Sequence, residues 1–382
     1  MSKCPHCFRA LPPDRYVFAC RSGKCTPNHD AEASAFHGAS ISTPPLRVLT
    51  APENARRGWT PGQSVHCAAC GGPTYEACPW CHYWLLEGWR HAEVTCLAMA
   101  GARATGKSFY IAVAVKQLER LAEQMNVALQ PATQQTQRSY TERYEKPLYE
   151  DRGIIPPTPP ATTADSYQRH PLIFSLGMRD GRRTYLVLRD VAGEDLENHS
   201  TDAFHLQFFA HASAVVFLFD PLWVPEVYGQ LQGLLPHQLF RGGDPRKVLA
   251  NVLRLIDSGR PRLAVTISKF DALQALRRVE GTDWSRVMSN AGAAFQRDPG
   301  LAPEYDYRDG ELLHHEVRSL LQRLHAGAVV AAVENPHTGE PLAHRFFAVS
   351  ALGESAEGER LHDRGISPFR CLDPIRWAMQ MS

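Results

Sequence analysis

Six short apolar runs occur along the chain after residue 90, and most of the segments between them repeat apolar residues at helical spacing. Runs of this length are typical of buried strands, and their alternation with helical segments is typical of an α/β protein. The Asp-Gly between the second and third runs favours a hairpin. We therefore predict an α/β fold with a six-stranded, mostly parallel sheet that has one antiparallel strand. The runs are residues 94–100, 172–178, 184–190, 214–220, 262–268 and 345–350.

The loop after the first run, GARATGKS at 101–108, matches the phosphate-binding pattern G-x-x-x-x-G-K-[ST]. Such a loop needs a buried strand before it and a helix N-terminus after it, where backbone amides and the helix dipole face the anion. Both flanks are present, because SFYIAVAVKQLERLAEQMN follows with apolar residues at helical spacing. In this setting Lys107 would bridge the terminal phosphates and Ser108 would bind Mg²⁺. The predicted nucleotide site also includes Gly101, Gly106 and Phe109.

Three short motifs stand at the ends of later runs. They are Asp190-Val-Ala-Gly193, Ser268-Lys269-Phe270-Asp271 and Ser350-Ala351. In this order and position they resemble the motifs of the Ras-like, translation-factor-related class of P-loop GTPases. The resemblance covers roughly residues 91–382. It implies a six-stranded sheet with an antiparallel edge hairpin, and GTP or GDP with Mg²⁺ as ligands.

Roles for individual residues follow from that resemblance. It implies that Asp190 holds Mg²⁺ through water and that the Gly193 amide senses the γ-phosphate. Lys269 would lie along the base, and Asp271 would accept two hydrogen bonds from guanine. Adenine offers no such pair of donors to a carboxylate, so Asp271 would select guanine. The rest of the base pocket would be formed by Ser268, Ser350 and Ala351.

Three positions depart from the family or extend its pattern. Ser268 stands where family members usually have Asn or Thr. Glu194 stands where a Gln often orients the attacking water, so it is a catalytic candidate whose alternative is a solvated switch residue. Arg103, inside the phosphate loop, would supply transition-state charge in cis, a device that accelerates hydrolysis by about 10³ or more in some GTPases. Its alternative is a solvent-facing side chain.

Two segments are longer than the family resemblance requires. Residues 127–171 form a first-switch insertion, in which we expect the prolines to prevent a continuous helix or a central strand. Residues 272–343 form a helical insertion with a helix-like stretch at 311–333, which would either supply a partner surface or only pack. The candidates for the switch threonine that contacts Mg²⁺ are Thr158, Thr162 and Thr163.

Eight of the ten cysteines form four close pairs before residue 82, in CPHC, CRSGKC, CAAC and CPWC. A C-x-x-C turn places two thiolates at adjacent corners of a tetrahedron around zinc, so two such turns complete one Cys4 site. A redox role would need a thioredoxin-like βαβ context, which this segment lacks. We therefore predict two structural Zn²⁺ sites in a zinc-binding region, residues 1–90, ahead of a GTPase domain, residues 91–382. Closed thiolate shells leave no position for water, so these metals would support folding and not catalysis.

The simplest grouping of the ligands follows chain order. It puts Cys4, Cys7, Cys20 and Cys25 in one site, and Cys67, Cys70, Cys78 and Cys81 in the other. Cross-pairing stays open, and His6, His29, His66 and His82 lie near enough to replace a thiolate. The connector at 28–64 is expected to be irregular and partly extended. Its bases, Arg47, Arg56 and Arg57, are too few to favour nucleic acid strongly over a protein partner.

Composition narrows the class of protein. The 382 residues are 44% apolar, which suits a chain with a substantial core. Lys and Arg number 41 against 40 for Asp and Glu, so no global field directs the chain to nucleic acid or an anionic membrane. No apolar leader stands at the N-terminus, and no stretch approaches the roughly 18 apolar residues of a spanning helix. We expect a cytoplasmic protein.

Zinc clusters ahead of a GTPase with a long first-switch insertion resemble the bacterial double-GTPase families proposed for conflict systems. We therefore expect a GTP-binding switch with slow intrinsic hydrolysis, on the order of 10⁻⁴ to 10⁻² per second unless a partner or self-association completes the site. Its zinc modules would dock a protein effector or regulator. Two alternatives stay open: a P-loop ATPase or kinase that does not use Asp271, and a non-hydrolysing, nucleotide-bound scaffold whose zinc ribbons bind nucleic acid.

Overall fold

The computed structural model describes most of the chain. The described residues are 2–56, 58–62, 65–160, 163, 169–198, 204–231, 233–234, 242–279, 283–336, 341–354, 361 and 365–380. Arg57 and Thr162, both named above, lie outside the described residues.

The N-terminal region is built on a three-stranded antiparallel sheet with the strand order β4-β1-β5. A two-stranded pair, β2 with β3, flanks the helix α1. Asp30 caps this helix by accepting a hydrogen bond from the Ala33 amide, and Gly38, at φ 68°, ends it. The prediction of an irregular connector missed α1. The elements are β1 (Arg15–Cys20), β2 (Asn28–His29), α1 (Ala31–His37), β3 (Ser42–Thr43), β4 (Leu46–Thr50) and β5 (Thr74–Ala77).

A seven-stranded sheet forms the centre of the rest of the chain. Its order is β12-β11-β10-β6-β9-β8-β7, and β8 is the strand that runs against its neighbours. Each of the six predicted runs contains a strand, so the predicted mixed sheet is confirmed; β7 is an additional edge strand of two residues. The strands are β6 (Glu93–Gly101), β7 (Gln130–Pro131), β8 (Leu172–Arg179), β9 (Arg182–Arg189), β10 (Ala214–Phe219), β11 (Arg262–Ile267) and β12 (His344–Ala348).

Helices connect the strands of this sheet, and several of them pack against it. No helix in the described part of the chain has both the length and the apolar content that crossing a bilayer requires. The helices are α2 (Lys107–Gln124), α3 (Gln134–Tyr140), a π-helix (Thr141–Glu150), α4 (Gly193–Asn198), α5 (Phe208–His211), α6 (Pro225–Leu231), α7 (Pro245–Ile256), α8 (Phe270–Gln274), α9 (Asp283–Met288), α10 (Tyr307–Arg323), α11 (Gly327–Glu334) and α12 (Asp373–Gln380). Short 3₁₀ turns lie at Trp89–His91, Phe204–Leu206, Pro221–Trp223, Ala275–Arg278 and Ala294–Gln296.

The first-switch insertion contains a continuous helical segment, because α3 runs directly into the π-helix. Pro147 lies inside that π-helix, so the expectation that the prolines prevent a continuous helix was wrong here. Buried Tyr144 and Leu148 fix the π-helix to the core. Tertiary packing of this kind outweighs the missing proline amide.

The stretch at 311–333 forms two helices and not one. α10 ends at Arg323, and His325 adopts a left-handed conformation with φ 57° before α11 begins. The Ala326 amide then bonds to the carbonyl of Leu321, which turns the chain. Both helices bury apolar faces, including Val317 and Val330.

One hydrophobic core extends from the large sheet into the N-terminal region. It includes the buried Phe8, Leu85 and Trp89 together with Cys4 and Cys78. A separate small cluster, made of Val17, Ala19 and Ala77, lies in the three-stranded sheet. The N-terminal region is therefore packed against the sheet that carries the phosphate loop. The division of the chain at residue 90 stays a prediction.

Candidate functional site

The phosphate loop lies between the end of β6 and the start of α2, as the sequence predicted. Gly101 has φ 148° and Gly106 has φ 87°, conformations that residues with a side chain rarely adopt. A Cβ atom at Gly101 would also lie 2.8 Å from the carbonyl oxygen of Leu218. The two glycines therefore let the loop turn tightly against β10.

Lys107 folds back into this loop. Its ammonium group donates hydrogen bonds to the carbonyls of Gly101, at 2.7 Å, and Ala102, at 2.9 Å. Burial lowers the pKa of Lys107 to about 8, although the nearby Asp190 and Glu197 carboxylates act in the opposite direction. A lysine held this way is a buried cation at the centre of the loop.

Three hydroxyl groups surround one oxygen of Asp190. Its Oδ2 accepts hydrogen bonds from Thr158 at 2.9 Å, Tyr144 at 3.1 Å and Ser108 at 3.3 Å. Ser108 and Thr158 also lie 3.0 Å apart. The other oxygen, Oδ1, is buried and has no hydrogen-bond donor among the described residues. Burial raises the pKa of Asp190, against the opposing effects of Lys107 and the three hydroxyls.

This arrangement fits Mg²⁺. Magnesium prefers oxygen ligands, and a buried carboxylate oxygen without a donor is suited to a cation or a cation-bound water. Two of the hydroxyls belong to Ser108 and Thr158, which the sequence named as candidates. Thr163 is exposed and its amide bonds to the Pro160 carbonyl, so the structure brings only Thr158 of the described candidates to Asp190.

One cavity of about 470 Å³ connects the phosphate loop with the S-K-x-D motif. Ser108, Phe109, Thr158 and Gly193 line one part of it, and Ser268, Lys269, Asp271 and Ala351 line the other. Ile154 and Ile155, from the first-switch insertion, also line the wall. Most of the predicted phosphate and base residues therefore share one crevice, whereas Gly101, Asp190 and Ser350 lie behind its lining in contact with residues that form it.

Neighbouring residues hold the base end of the cavity. The Ser350 hydroxyl donates to the Asp271 carboxylate at 2.5 Å, so buried Ser350 orients that carboxylate. Lys269 has φ 49°, and its ammonium group pairs with Asp220 at 2.6 Å. Asp220 follows β10, and sequence reasoning missed it. Ser268 donates from its hydroxyl to the carbonyl of Phe219.

The D-x-x-G segment packs directly on the phosphate loop. A Cβ atom at Gly193 would lie 2.5 Å from the Arg103 amide nitrogen, so only glycine fits at this position. The carboxylate of Glu197 accepts a hydrogen bond from the same amide at 3.1 Å. Gly242 also approaches the loop closely, since its Cβ would lie 1.9 Å from the Arg103 carbonyl oxygen. Glu197 and Gly242 were missed; the Gly-Gly pair at 242–243 was the signal available for the second.

The two candidates for hydrolysis contact each other. Arg103 and Glu194 form an ion pair at 3.2 Å, with side chains 57% and 41% exposed. A pair this exposed contributes little to stability. The arginine is therefore free to change partner when another anion enters the loop.

The eight paired cysteines form two clusters. The first cysteine cluster contains Cys4, Cys7, Cys78 and Cys81, and the second contains Cys20, Cys25, Cys67 and Cys70. The grouping by chain order was therefore wrong, and cross-pairing is the arrangement in the structure. Only thiols form these clusters within the described residues, so His6, His29, His66 and His82 replace none of them.

The strand pairing explains the cross-pairing. β1 runs antiparallel to β5, with Cys20 opposite Thr74 and Val17 opposite Ala77. This register places the end of β1 beside the CAAC turn, while CPWC, directly after β5, returns to CPHC. The pairing of β1 with β5 therefore determines which cysteine-containing turns come together. The spacing of the cysteines along the chain does not determine it.

Both clusters fit zinc. In the first, the Cys4–Cys81 and Cys7–Cys78 sulfur pairs lie 3.6 and 3.7 Å apart. Zn–S bonds of about 2.3 Å in a tetrahedron give sulfur separations of about 3.8 Å. In the second, the corresponding pairs Cys20–Cys70 and Cys25–Cys67 lie 3.6 and 3.9 Å apart.

The C-x-x-C turns share one local geometry. The residue after the second cysteine is left-handed in each, namely Phe8, Gly71 and His82. An antiparallel bridge closes each turn, between Lys3 and Ala10, His66 and Pro73, and Ala77 and Trp84. Backbone amides of His6 and Trp80 also donate to cysteine sulfurs of the first cluster. These turns are built to present thiolates.

The serine of the phosphate loop contacts the aspartate of D-x-x-G, and the S-K-x-D motif lines the same cavity as the loop. These features define the chain as a P-loop GTPase by fold. The chain belongs to the Double-GTPase 2 family, whose family model matches residues 95–325. That match confirms the resemblance to P-loop GTPases and the narrower resemblance to double-GTPase families.

Similar proteins include a curated relative over nearly the whole chain. It is "Putative ESX-1 scaffolding and assembly protein SaeC" of Mycolicibacterium smegmatis, 53% identical over 379 residues, which are 99% of this chain and 98% of the relative.

Two solved structures show only a distant likeness. The bacterial selenocysteine-specific elongation factor EF-Sec is 9% identical with a TM-score of 0.24, over 67% of this chain and 25% of that one. The sup35 protein complexed with GDP is 13% identical with a TM-score of 0.25, over 73% of this chain and 42% of that one. The chain therefore spans less than half the length of either structure.

Proposed function

We propose that this protein binds Mg²⁺-GTP in the cavity between the phosphate loop and the S-K-x-D motif, hydrolyses it slowly, and acts as a nucleotide-controlled scaffold. The observation that carries the proposal is the convergence of Lys107, Ser108, Thr158 and Asp190 at one end of a cavity that Asp271 lines at the other. A cavity of about 470 Å³ is within the range of small-molecule sites.

At the phosphate end, Lys107 would exchange the carbonyls of Gly101 and Ala102 for phosphate oxygens. Ser108 and Thr158 would ligate Mg²⁺, and Asp190 would hold it through water. The ion would neutralise charge on the β- and γ-phosphates. Gly193 lies against the loop with no room for a side chain, and this supports a role for its amide in sensing the terminal phosphate.

At the base end, Asp271 would accept the two hydrogen bonds that guanine offers and adenine does not. Ser350 supports this role because its hydroxyl orients the carboxylate from behind. The pairing with Asp220 would fix Lys269 along the base. Guanine selectivity is therefore proposed in spite of Ser268, whose hydroxyl is engaged with a backbone carbonyl.

Hydrolysis would be slow without a partner. The ion pair with Glu194 turns Arg103 toward the D-x-x-G segment, at the edge of the cavity. An incoming γ-phosphate would compete for the arginine, which would then stabilise transition-state charge. A partner that withdraws Glu194 would release Arg103, and this is how a bound protein would stimulate the reaction.

The zinc ions would be structural. Four thiolates complete each shell, so neither cluster keeps a position for substrate or water. The zinc-binding region would dock a protein partner in the cytoplasm, where GTP and reduced thiols occur together. Because the relative over 99% of the chain is named as an ESX-1 scaffolding and assembly protein, we propose that the partners are components of a secretion apparatus under assembly.

The decisive experiment is a nucleotide panel on the purified full-length chain. Zinc content is measured by mass spectrometry and co-purifying nucleotide by chromatography, followed by calorimetric titration with GDP, GTP, ADP and ATP in Mg²⁺. We expect two zinc ions per chain, a strong preference for guanine nucleotides, and slow single-turnover hydrolysis. A preference for adenine nucleotides would point to an ATPase or kinase instead. Steeply salt-dependent affinity for RNA or DNA would favour the scaffold with nucleic-acid-binding zinc ribbons.

A further inference from the structure

Arg189 is a buried arginine between the first cysteine cluster and the nucleotide site. It is the last residue of β9, directly before Asp190, and it is 5% exposed. Its Nη1 donates to the carbonyl of His6, inside the CPHC turn, at 2.8 Å. The guanidinium also lies 3.8 Å from the centre of the Phe208 ring. One residue thus contacts the cluster and adjoins the proposed magnesium-binding aspartate.

Charge explains why an arginine stands there. Zinc with four thiolates leaves a net charge of −2, and a buried charge is costly unless an opposite charge lies beside it. The four cysteines of the first cluster are at most 1% exposed, whereas Cys25 and Cys70 of the second are half-buried. Water can therefore screen the second cluster, but the first needs a counter-ion from the protein.

The electrostatics of Arg189 agree with this arrangement. Burial lowers the pKa of Arg189 to about 10, and the thiolates of Cys81, Cys7 and Cys4 act against that effect. Its Nε atom is buried and has no acceptor in the part of the chain that the structure describes. Among the described residues, the guanidinium is stabilised by the His6 carbonyl, the Phe208 ring and the thiolates of the cluster.

The same N-terminal region also contacts residues 204–208, which follow the D-x-x-G motif and α4 along the chain. Phe8, next to Cys7, packs edge-on against Phe208 with ring centres 5.2 Å apart. Phe36 of α1 packs against Phe204 at 4.7 Å. Arg9 donates to Gln207 at 3.3 Å. Contacts at residue 189 and at residues 204–208 thus bracket the segment that contains Asp190 and Gly193.

We infer that Arg189 is the counter-ion of the first zinc cluster and a positioning residue for Asp190, and that zinc binding at this cluster is coupled to the nucleotide state. The coupling rests on the proposed function, whereas the counter-ion role does not. Movement of the D-x-x-G segment toward a γ-phosphate would pull on Arg189, which contacts the CPHC turn, and on residues 204–208, which contact Phe8 and Arg9 directly after that turn. The second cluster has no such contact among the described residues.

The test measures zinc release from the zinc-loaded, full-length chain to excess 4-(2-pyridylazo)resorcinol. Release is expected in two phases, and Cys70→Ser identifies the phase of the second cluster. Arg189→Met should accelerate release from the first cluster by roughly tenfold or more, the usual effect of losing a supporting partner of a metal ligand. Arg189→Lys should restore most of the wild-type rate, since it keeps the charge. The matched control is Arg90→Met, because Arg90 is an arginine of the same region whose side chain is 10% exposed, pairs with Glu76 and packs on Tyr16.

The nucleotide arm repeats the measurement with no nucleotide, with Mg²⁺-GDP and with a non-hydrolysable GTP analogue. First-cluster release should change by at least about fivefold in the wild type, the lower end of ordinary coupling between sites. It should not change in Arg189→Met. Wild-type release rates in Arg189→Met, or equal acceleration in Arg90→Met, would overturn the counter-ion role. If the wild type binds nucleotide but the rate of zinc release from the first cluster does not change, the coupling is wrong while the proposed function stands. If the wild type binds no nucleotide, the proposed function and the coupling both fail, and the variants still decide the counter-ion role.

Discussion

The phenol of Tyr144 donates a hydrogen bond to the Asp190 carboxylate across 3.1 Å, from a π-helix 46 residues earlier in the chain. The ring is fully buried and stacks against Tyr140, with centres 6.2 Å apart. π-Helical turns are often found at functional sites. Here the turn places a neutral donor beside a carboxylate that is proposed to hold magnesium.

Replacing Tyr144 by Phe should weaken Mg²⁺-dependent GDP binding by about tenfold, the contribution of one hydrogen bond to a charged group. Binding in excess EDTA should not change, because the phenol does not face the nucleotide. The measurement is calorimetric titration across Mg²⁺ concentrations. Tyr140→Phe is the control, since Tyr140 lies in the same helical segment as Tyr144 but its phenol donates to the Ala112 carbonyl of α2 and not to Asp190. Equal losses in both variants would mean a general packing effect.

Binding of GDP at pH 8 should take up roughly half a proton per chain, because the pKa of free Lys107 is about 8 and phosphate oxygens raise it. The sign follows from the charged form, which is the form that binds phosphate. Affinity should therefore fall as the pH rises above about 8. Titrations in two buffers of different ionisation enthalpy measure the uptake. Lys107→Arg should show none, since arginine stays charged; uptake that persists in this variant would assign the proton to another group.

Asp271→Asn should lower GTP affinity by about a hundredfold and raise that for xanthosine triphosphate, because the amide reverses one donor–acceptor pair at the base. Competition titrations against labelled GDP measure both changes. Asp283→Asn serves as the matched control, as Asp283 is an exposed aspartate that pairs with Arg286 and does not line the cavity. An unchanged GTP affinity in Asp271→Asn would show that Asp271 does not recognise guanine.

Arg103→Ala should reduce single-turnover GTP hydrolysis, by up to about 10³ once Glu194 has been withdrawn and by less without a partner. GDP affinity should stay within about twofold, because an exposed ion pair contributes little to binding. The backbone amide of residue 103, which donates a hydrogen bond to the Glu197 carboxylate, remains in the variant. Hydrolysis at the wild-type rate would show that this arginine faces solvent during the reaction.

Double substitutions of cysteine distinguish the two ways of pairing. Cys20→Ser with Cys70→Ser removes two ligands of one cluster in this structure and should leave one zinc per chain. Cys7→Ser with Cys20→Ser removes one ligand from each cluster and should leave none. Grouping by chain order gives the opposite result for both pairs. Mass spectrometry measures the number of zinc ions per chain in each double variant and so distinguishes the two groupings.

Local patterns predicted the parts of the site that are continuous in sequence. Residues 101–108 and the runs beside them could be recognised because strand, loop and helix follow one another along the chain. The D-x-x-G and S-K-x-D motifs could be placed because each directly follows a buried strand. Their assembly into one cavity follows from the parallel sheet, whose strand ends meet at one edge.

Features that depend on long-range contacts could not be predicted from local sequence patterns. Tyr144 lies in a polar stretch and carries no periodic signal for its contact with Asp190. The two residues of β7 become a strand only by pairing with Phe174 and Ser175 of β8. The zinc ligands were predicted by type and number, but their grouping depends on how β1 pairs with β5. Local spacing fixes each turn, and tertiary structure decides which turns meet.

The interleaved clusters determine the order of events during synthesis of the protein. Each cluster takes two ligands before residue 26 and two after residue 66. On a nascent chain, Cys4, Cys7, Cys20 and Cys25 emerge from the ribosome first, and they are the four thiols that must not share one ion. Neither metal can be captured in its final shell until Cys70 has emerged for the second cluster and Cys81 for the first. Both clusters can therefore be completed only shortly before the phosphate loop itself emerges, and capture of one zinc ion by the four early thiols is a misfolding route that this arrangement opens.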